Sequence, residues 1–277
     1  MAQHEQNAYR TRHRTCPACG ADNAARPAGP YSKNEWQVKP CAECGFVYLE
    51  NAPVYEELAQ DHAWEKSAPA EGAARRRESP VLQGLSKGTR FRLHWFKRTR
   101  LAELSARYVP PGMVVDVGCG DGWQIANLPG DYVRCGIEIS QAMAARARHA
   151  LEPGGGFVIC APAVAGLNQL PEGRVSGVVM RSFLEHESDP LGALAGTARA
   201  LKVGGAAIVK VPNYGSLNRL VMGRKWCGFR WPDHVNYFTP ASLVRMVRTA
   251  GLEIARFGIA DHMPTSDNMW LVARKAS

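Results

Sequence analysis

Beyond Pro110-Pro111-Gly112 the chain falls into short apolar runs separated by longer stretches of mixed character. Met113–Val117, Tyr132–Ile137, Phe157–Cys160, Val175–Met180 and Ala206–Val211 are each four to six residues long, and most are rich in β-branched side chains. Such continuous runs suit strands buried on both faces of a parallel sheet. Between them Trp123–Asn127, Gln141–Leu151 and Pro190–Leu201 read as helices; Ser140 is placed to cap the second, Ser188 or Asp189 the third. Strands alternating with helices predict a parallel α/β sheet. Lys202-Val203-Gly204-Gly205 reads as the turn into the fifth strand. A helix over Ser242–Ala250, capped by Thr239 and ended by Gly251, precedes Leu252–Gly258 and Met269–Ala273, an antiparallel pair closing the sheet edge.

Upstream the pattern changes. Thr89–Tyr108 reads as a helix with Phe91, Trp95, Leu101, Leu104 and Tyr108 near one face. Residues 54–88 lack apolar periodicity and carry Pro69, Gly72, Pro80 and Gly84 as breakers, so a partly helical, loose connection is expected. Phe46–Leu49 reads as a strand that Asn51-Ala52-Pro53 ends. Three regions follow: a small module at 12–52, a helical connector at 53–110 and an α/β domain at 111–277.

Composition narrows the setting. A chain of 277 residues holds one sizeable core and a smaller module. No apolar run approaches the roughly 20 residues needed to cross a bilayer, and Met1–Arg14 is polar and basic, unlike a secretory leader. Eight cysteines in such a chain suggest a reducing, cytoplasmic compartment and metal or packing roles. The net charge is +9, and Arg75–Arg100 holds nine basic residues against Glu78, interleaved with Phe91, Trp95 and Phe96. This stretch reads first as an amphipathic helix with solvated charges, and second as a grip on RNA or a phosphorylated substrate. Oligomeric state is not legible.

Four of the cysteines form two C-x-x-C-G knuckles, Cys16-Pro17-Ala18-Cys19-Gly20 and Cys41-Ala42-Glu43-Cys44-Gly45. Each knuckle sets two sulfurs on one side of a tight turn, and two knuckles complete a tetrahedron, the pattern of a four-thiolate zinc ribbon. A closed set of four thiolates leaves no position for water, so the metal is expected to be structural. Cys119, Cys135 and Cys160 read as small buried residues, and Cys227 lies in a loop.

The first strand of the α/β domain runs into Asp116-Val117-Gly118-Cys119-Gly120-Asp121-Gly122. Strand, Gly-rich turn, helix is how nucleotide-like ligands are bound at the carboxyl edge of a doubly wound sheet. The spacing is D-x-G-x-G-x-G rather than the dinucleotide G-x-G-x-x-G. An acidic residue at the strand end would repel a pyrophosphate and suit a ligand carrying an ammonium group. Glu138 ends the next strand, 20 residues after Gly118, where a carboxylate can accept both hydroxyls of a ribose. The stretch resembles the first motif of the Rossmann-like, S-adenosylmethionine-dependent methyltransferases, and Leu184-Glu185-His186 followed by Asp189-Pro190 resembles their segment after strand four. With its ribbon, Val211-Pro212-Asn213, His234…Phe238 and Ser242-Leu243, most of the chain is similar to a bacterial group of such enzymes that modify glycans, lipids or secondary metabolites.

The resemblance implies a seven-stranded sheet of order 3-2-1-4-5-7-6 and S-adenosylmethionine held by Asp116, Gly118, Cys119, Gly120, Glu138, Ile139, Ala161, Arg181 and Ser182. The acidic residue that such enzymes usually carry after strand three is absent; Cys160-Ala161-Pro162-Ala163 stands there. The long insert from Pro212 to Phe238 is rich in aromatic and basic residues, and a connection of that length usually carries function. His186 and His234 are the candidate bases, each otherwise a histidine that organises its loop. Glu185, Trp226, Arg230, Trp231 and Tyr237 are the candidate acceptor contacts, or packing. The leading expectation is methyl transfer to a hydroxyl or other nucleophile of a small-molecule, glycan or secondary-metabolite acceptor. An RNA methyltransferase and a non-catalytic cofactor-binding protein are the alternatives, although no N/D-P-P-[FYW] motif of base methylation follows strand four.

Overall fold

The structure is a computed structural model that describes residues 10–54, 101–129 and 131–276. The basic stretch Arg75–Arg100, the connector and the first part of the expected helix Thr89–Tyr108 lie outside the described residues. Its last two turns are seen as α1, Leu101–Tyr108.

Seven strands make the main sheet: β5 (Gly112–Val117), β6 (Tyr132–Glu138), β7 (Phe157–Cys160), β8 (Val175–Arg181), β9 (Leu201–Pro212), β11 (Glu253–Arg256) and β12 (Asn268–Arg274). Their spatial order is β7-β6-β5-β8-β9-β12-β11. Counting only this sheet's strands in chain order, that reads 3-2-1-4-5-7-6. The pairs from β7 to β9 are parallel, while β12 runs antiparallel to both β9 and β11. Val114, Val115, Val117, Val178 and Val179 are buried, as both faces of a covered parallel sheet demand. The crossover helices are α2 (Trp123–Ala126), α3 (Gln141–Leu151), α4 (Ala163–Gln169) and α5 (Pro190–Ala200). Ser140 caps α3 and Asp189 caps α5, each accepting a backbone N–H of the first turn. Among the described residues no helix is long and apolar enough to cross a membrane.

Local expectations need correction in three places. Lys202–Gly205 is not a connector ahead of the fifth strand: β9 already starts at Leu201, and Gly204 takes a φ of 75° within it. Helix α4 was not expected. Its short sequence holds Gly166 and Asn168, and of its buried positions Ala163, Gly166 and Leu167 only the last is a large apolar side chain, so the apolar signal is slight. Asn51–Pro53 does not end the ribbon; it is a strand, β4, paired antiparallel with β1 (Thr11–His13).

The cysteine module is built into the α/β domain. Its strands β2 (Val38–Pro40) and β3 (Val47–Leu49) are completed by β10 (Asn236–Tyr237) from the distant insert, in the order β10-β3-β2. Trp36, Val38 and Leu49 share one apolar cluster with Trp226, Phe229, Val235 and Tyr237. Phe46 meets Phe238 edge-on at 5.2 Å between ring centroids. The insert also contributes α6 (Leu217–Met222), and α7 (Pro240–Thr249) returns the chain to the sheet.

Candidate active site

At the end of β5 the chain turns through Gly118, Gly120 and Gly122, with φ of 71°, 57° and 75°. These left-handed values favour glycine, and a Cβ on Gly118 would lie 2.8 Å from the Phe183 ring. Glu138 ties the turn to α3: Gly120 N–H and Ser140 N–H each donate to its carboxylate at 2.9 Å. It thus stands between turn and helix, where a ribose would face it. Asp116 is 5 % exposed, and its burial pushes the carboxyl up to about 7, against the opposing pull of Arg181. A buried carboxyl beside an open glycine turn suits an ammonium partner, so these residues fit S-adenosylmethionine. Ile139 follows Glu138, and the Ala161 N–H donates to the Glu138 carbonyl at 3.1 Å. The Ala161 N–H is therefore engaged within the protein. Cys119 has a buried side chain packed towards Gly136, and its backbone is engaged within the turn: its N–H donates to the Ile137 carbonyl at 3.1 Å and its carbonyl accepts from Gly122 N–H at 3.0 Å.

At the end of β8, Arg181 meets Gln124. Ser182 has a φ of 54°, an uncommon value for a residue with a side chain, and its hydroxyl accepts from Lys210 Nζ at 3.0 Å. Glu185, His186 and His234 follow: one ligating atom of each lies within 4.8 Å of the others. The two imidazoles meet edge to face, 4.6 Å apart. His186 Nδ1 is 2.9 Å from the Asp233 carbonyl and His234 Nδ1 is 2.8 Å from the Gly228 carbonyl. A carbonyl only accepts, so both rings carry a proton on Nδ1. Burial lowers His186 to about 4, which keeps the imidazole neutral, and raises Glu185 to about 7 against the pull of Lys210 and Arg230. Glu185 Oε2, Arg230 Nε and Trp231 Nε1 are buried without a hydrogen-bond partner in the protein. Buried polar atoms of this kind usually find a partner, and Glu185 and Arg230 are close enough for the guanidinium to pull on the carboxyl.

The aromatic candidates separate. Trp231 stacks on Phe229 at 5.2 Å and is partly exposed. Trp226 is 1 % exposed with its indole N–H donating to Asp267, and Tyr237 is 3 % exposed within the ribbon–insert cluster. Both are buried in the packing between ribbon and insert, and the Tyr237 hydroxyl is buried without a hydrogen-bond partner in the protein. Sequence reasoning passed over Lys210, whose only signal is a single cation in the apolar run of β9, and Arg14, which carries none.

In the ribbon the Cys16–Cys44 and Cys19–Cys41 sulfurs are 3.6 Å apart, and all four lie within 4.8 Å of one another. Tetrahedral zinc with bonds of about 2.3 Å spaces its sulfurs about 3.8 Å apart. Gly20 and Gly45, with φ of 78° and 70°, close the two knuckles by donating to the Cys16 and Cys41 carbonyls. The thiols thus fit a tetrahedral ion.

Residues 91–256 match a family profile described as a methyltransferase domain. A ubiquinone biosynthesis O-methyltransferase of Burkholderia pseudomallei (strain 1710b) is 31% identical over 182 residues, 61% of this chain and 78% of the relative. The enzyme of the same name from Thiobacillus denitrificans (strain ATCC 25259 / T1) is 30% identical over 170 residues, 58% of this chain and 73% of that one. The crystal structure of an S-adenosylmethionine-dependent methyltransferase from Clostridium acetobutylicum ATCC 824 aligns with a TM-score of 0.50 over 64% of this chain and 89% of that one; at 11% identity this is a likeness of fold alone. The family match covers more than half of the chain, including the glycine turn, Glu138 and the Glu185–His186 loop, and the chain belongs to the methyltransferase-domain family as an S-adenosylmethionine-dependent methyltransferase.

Proposed function

We propose that the chain methylates a hydroxyl of a small-molecule acceptor, with Glu185, His186 and His234 receiving the hydroxyl proton and the four cysteines holding a structural zinc ion. The supporting observation is the gathering of these three side chains within 4.8 Å beyond β8, where Phe183 of the same loop packs against Gly118. S-adenosylmethionine, once bound, supplies an electrophilic methyl on a sulfonium sulfur. Asp116 and Glu138 orient it through its ammonium and its ribose, Gly118 and Gly120 allow close backbone approach, and Ala161, Arg181 and Ser182 line the adenine and methionine ends. The chain must then hold the acceptor oxygen near attack, exclude water and take its proton. The neutral His186 imidazole presents a lone pair for this, and Glu185, pushed up to about 7, is poised to share the proton at neutral pH. Arg230, Trp231 and Lys210 supply donors and an aromatic face for a polar ring or sugar. The names of the relatives favour an oxygen acceptor.

Calorimetry with S-adenosylmethionine tests the cofactor half. Glu138→Ala removes an acceptor of charge-assisted hydrogen bonds worth about 1.5–3 kcal/mol, so binding should weaken by roughly 10- to 100-fold. Gly118→Arg should abolish it, and a wild-type chain that does not bind would sink the reading. For the proton acceptors, His186→Asn and His234→Asn should each lower turnover about 10²-fold or more at unchanged cofactor affinity, followed by tritiated-methyl transfer to a panel of hydroxylated acceptors. Metal analysis should find one zinc per chain, lost in Cys41→Ser.

A further inference from the structure

We propose that Arg14 is the positioning residue through which the four-cysteine ribbon sets the geometry of the Glu185–His186–His234 cluster, so that removal of the ribbon's metal misaligns the cluster while leaving the cofactor cradle in place. The inference rests on the function proposed above for that cluster.

Arg14 stands two residues before Cys16 and is 9 % exposed. Its guanidinium donates to four acceptors in three separate parts of the chain. Nη1 reaches the carbonyls of Leu49 at 3.1 Å and Val235 at 3.2 Å. Nη2 reaches the carbonyl of Ser188 at 2.8 Å and Asn236 Oδ1 at 3.1 Å. Leu49 belongs to the ribbon, Ser188 to the loop after β8, and Val235 and Asn236 to the insert directly after His234. Only a planar fork of several N–H donors spans such a set; a lysine ammonium has three donors at a single point.

The contacts continue to the functional side chains. Asn236 Nδ2 donates to the carbonyls of Leu184 at 2.7 Å and Glu187 at 2.6 Å, bracketing Glu185 and His186. The backbone N–H groups of Val235 and Asn236 both donate to the Glu185 carbonyl, at 2.8 and 3.1 Å. The relative position of the two histidines is therefore held by one knot of buried hydrogen bonds whose hub is a ribbon side chain. In the other direction, Arg14 lies over the Tyr48 ring at 6.0 Å. Tyr48 hydroxyl accepts from Asn23, whose Oδ1 accepts from the N–H of Ala42 in the second cysteine knuckle. Arg245 of α7 donates to the Cys44 carbonyl at 2.7 Å. A module of three-residue strands has little core of its own and needs its ion to keep this shape. The cofactor turn is fastened differently, by hydrogen bonds from Gly118 and Gly120 to Ile137 and Glu138 of β6.

The test uses the full chain as isolated with its zinc, the variants Arg14→Gln and Arg14→Lys, and wild type stripped of zinc with a chelator. Elemental analysis reads zinc, calorimetry reads S-adenosylmethionine, and nitrogen NMR of the imidazoles reads His186 and His234. Arg14→Gln should retain one zinc per chain and bind S-adenosylmethionine within about twofold of wild type. The His186 and His234 signals should lose their fixed Nδ1–H pattern, and methyl transfer should fall at least tenfold. Arg14→Lys should show the same imidazole change to a smaller degree. Stripping zinc from wild type should reproduce that change with cofactor binding kept within about fivefold. Unchanged imidazole signals in zinc-loaded Arg14→Gln, or in stripped wild type, would overturn the proposal. Should Arg14→Gln fail to fold, Asn236→Ser cuts the same knot from the insert side, and unchanged imidazole signals there overturn it equally. A wild type that does not bind S-adenosylmethionine defeats the functional reading alone, because the imidazole and zinc measurements do not depend on it.

Discussion

Asp116 is a carboxyl that folding makes reluctant to ionise. It is 5 % exposed and is pushed up to about 7, chiefly because burial strips the hydration its charged form needs. The unfolded chain releases this proton near pH 4, so the unfolded state alone ionises between pH 4 and 7. Through this group the stability of the cofactor-free chain falls as pH rises across that window, and it is level above it. A bound ammonium group reverses the preference by favouring the charged form, so cofactor binding below pH 7 must displace a proton. S-adenosylmethionine should bind about fivefold tighter at pH 7 than at pH 6, as the ionised fraction of a group titrating near 7 dictates. Calorimetry in buffers of different ionisation enthalpy should register the released proton, and Asp116→Asn should remove the pH dependence while weakening binding. At this scale the places of Asp116 and Glu138 were legible, because each sits at the carboxyl end of an apolar run, the first just before a glycine turn and the second just before a helix cap. The meeting of His186 with His234 was not: 47 residues separate them in the chain, and the contact depends on how the insert folds back.

Among the elements, α7 shows how a local signal supports a distant contact. Thr239 caps it by accepting the Ser242 N–H at 3.1 Å, while Ser242 Oγ accepts the Thr239 N–H at 2.9 Å. Leu243, Met246 and Val247 are then buried against the sheet, and Arg245 faces the ribbon. Thr239→Ala should cost about 1 kcal/mol, the ordinary loss for a cap. For a domain of this size that lowers the melting temperature by about 2–4 °C, measurable by circular dichroism. Caps and parallel strands are legible because they depend on near neighbours in sequence, as Ser140, Asp189 and Thr239 show. Strand β10 is two residues long and exists only because β3 offers an edge to pair with, so no period in the sequence marks it. For the same reason the packing of the aromatic insert was not legible: Trp226 and Tyr237 pack with Trp36, Val38 and Leu49 of the ribbon.

Across the whole molecule, two bodies of unequal self-sufficiency share one apolar seam. The seven-stranded sheet is covered on both faces and supplies most of the core, although its largest cluster also takes in Cys16, Cys41, Phe46 and Tyr48 of the ribbon. The ribbon, with strands of three residues, depends on its ion and on the seam where Trp36, Val38 and Leu49 meet Trp226, Phe229 and Val235. Denaturant should therefore release zinc and expose the seam before the sheet is lost. The intermediate should bind a hydrophobic dye, since a bared aromatic seam is a larger apolar patch than monomers usually expose. The cofactor separates the two steps further. At a hundredfold excess over its Kd, S-adenosylmethionine adds about 2.7 kcal/mol to the state that binds it. That should raise the thermal midpoint of the sheet by roughly 5–10 °C, and it should leave zinc release nearly where it was, because the cradle is fastened within β5 and β6. Zinc release followed with a metallochromic dye alongside circular dichroism would check this. A cofactor-dependent shift of both midpoints by the same amount would mean that ribbon and sheet unfold as one unit.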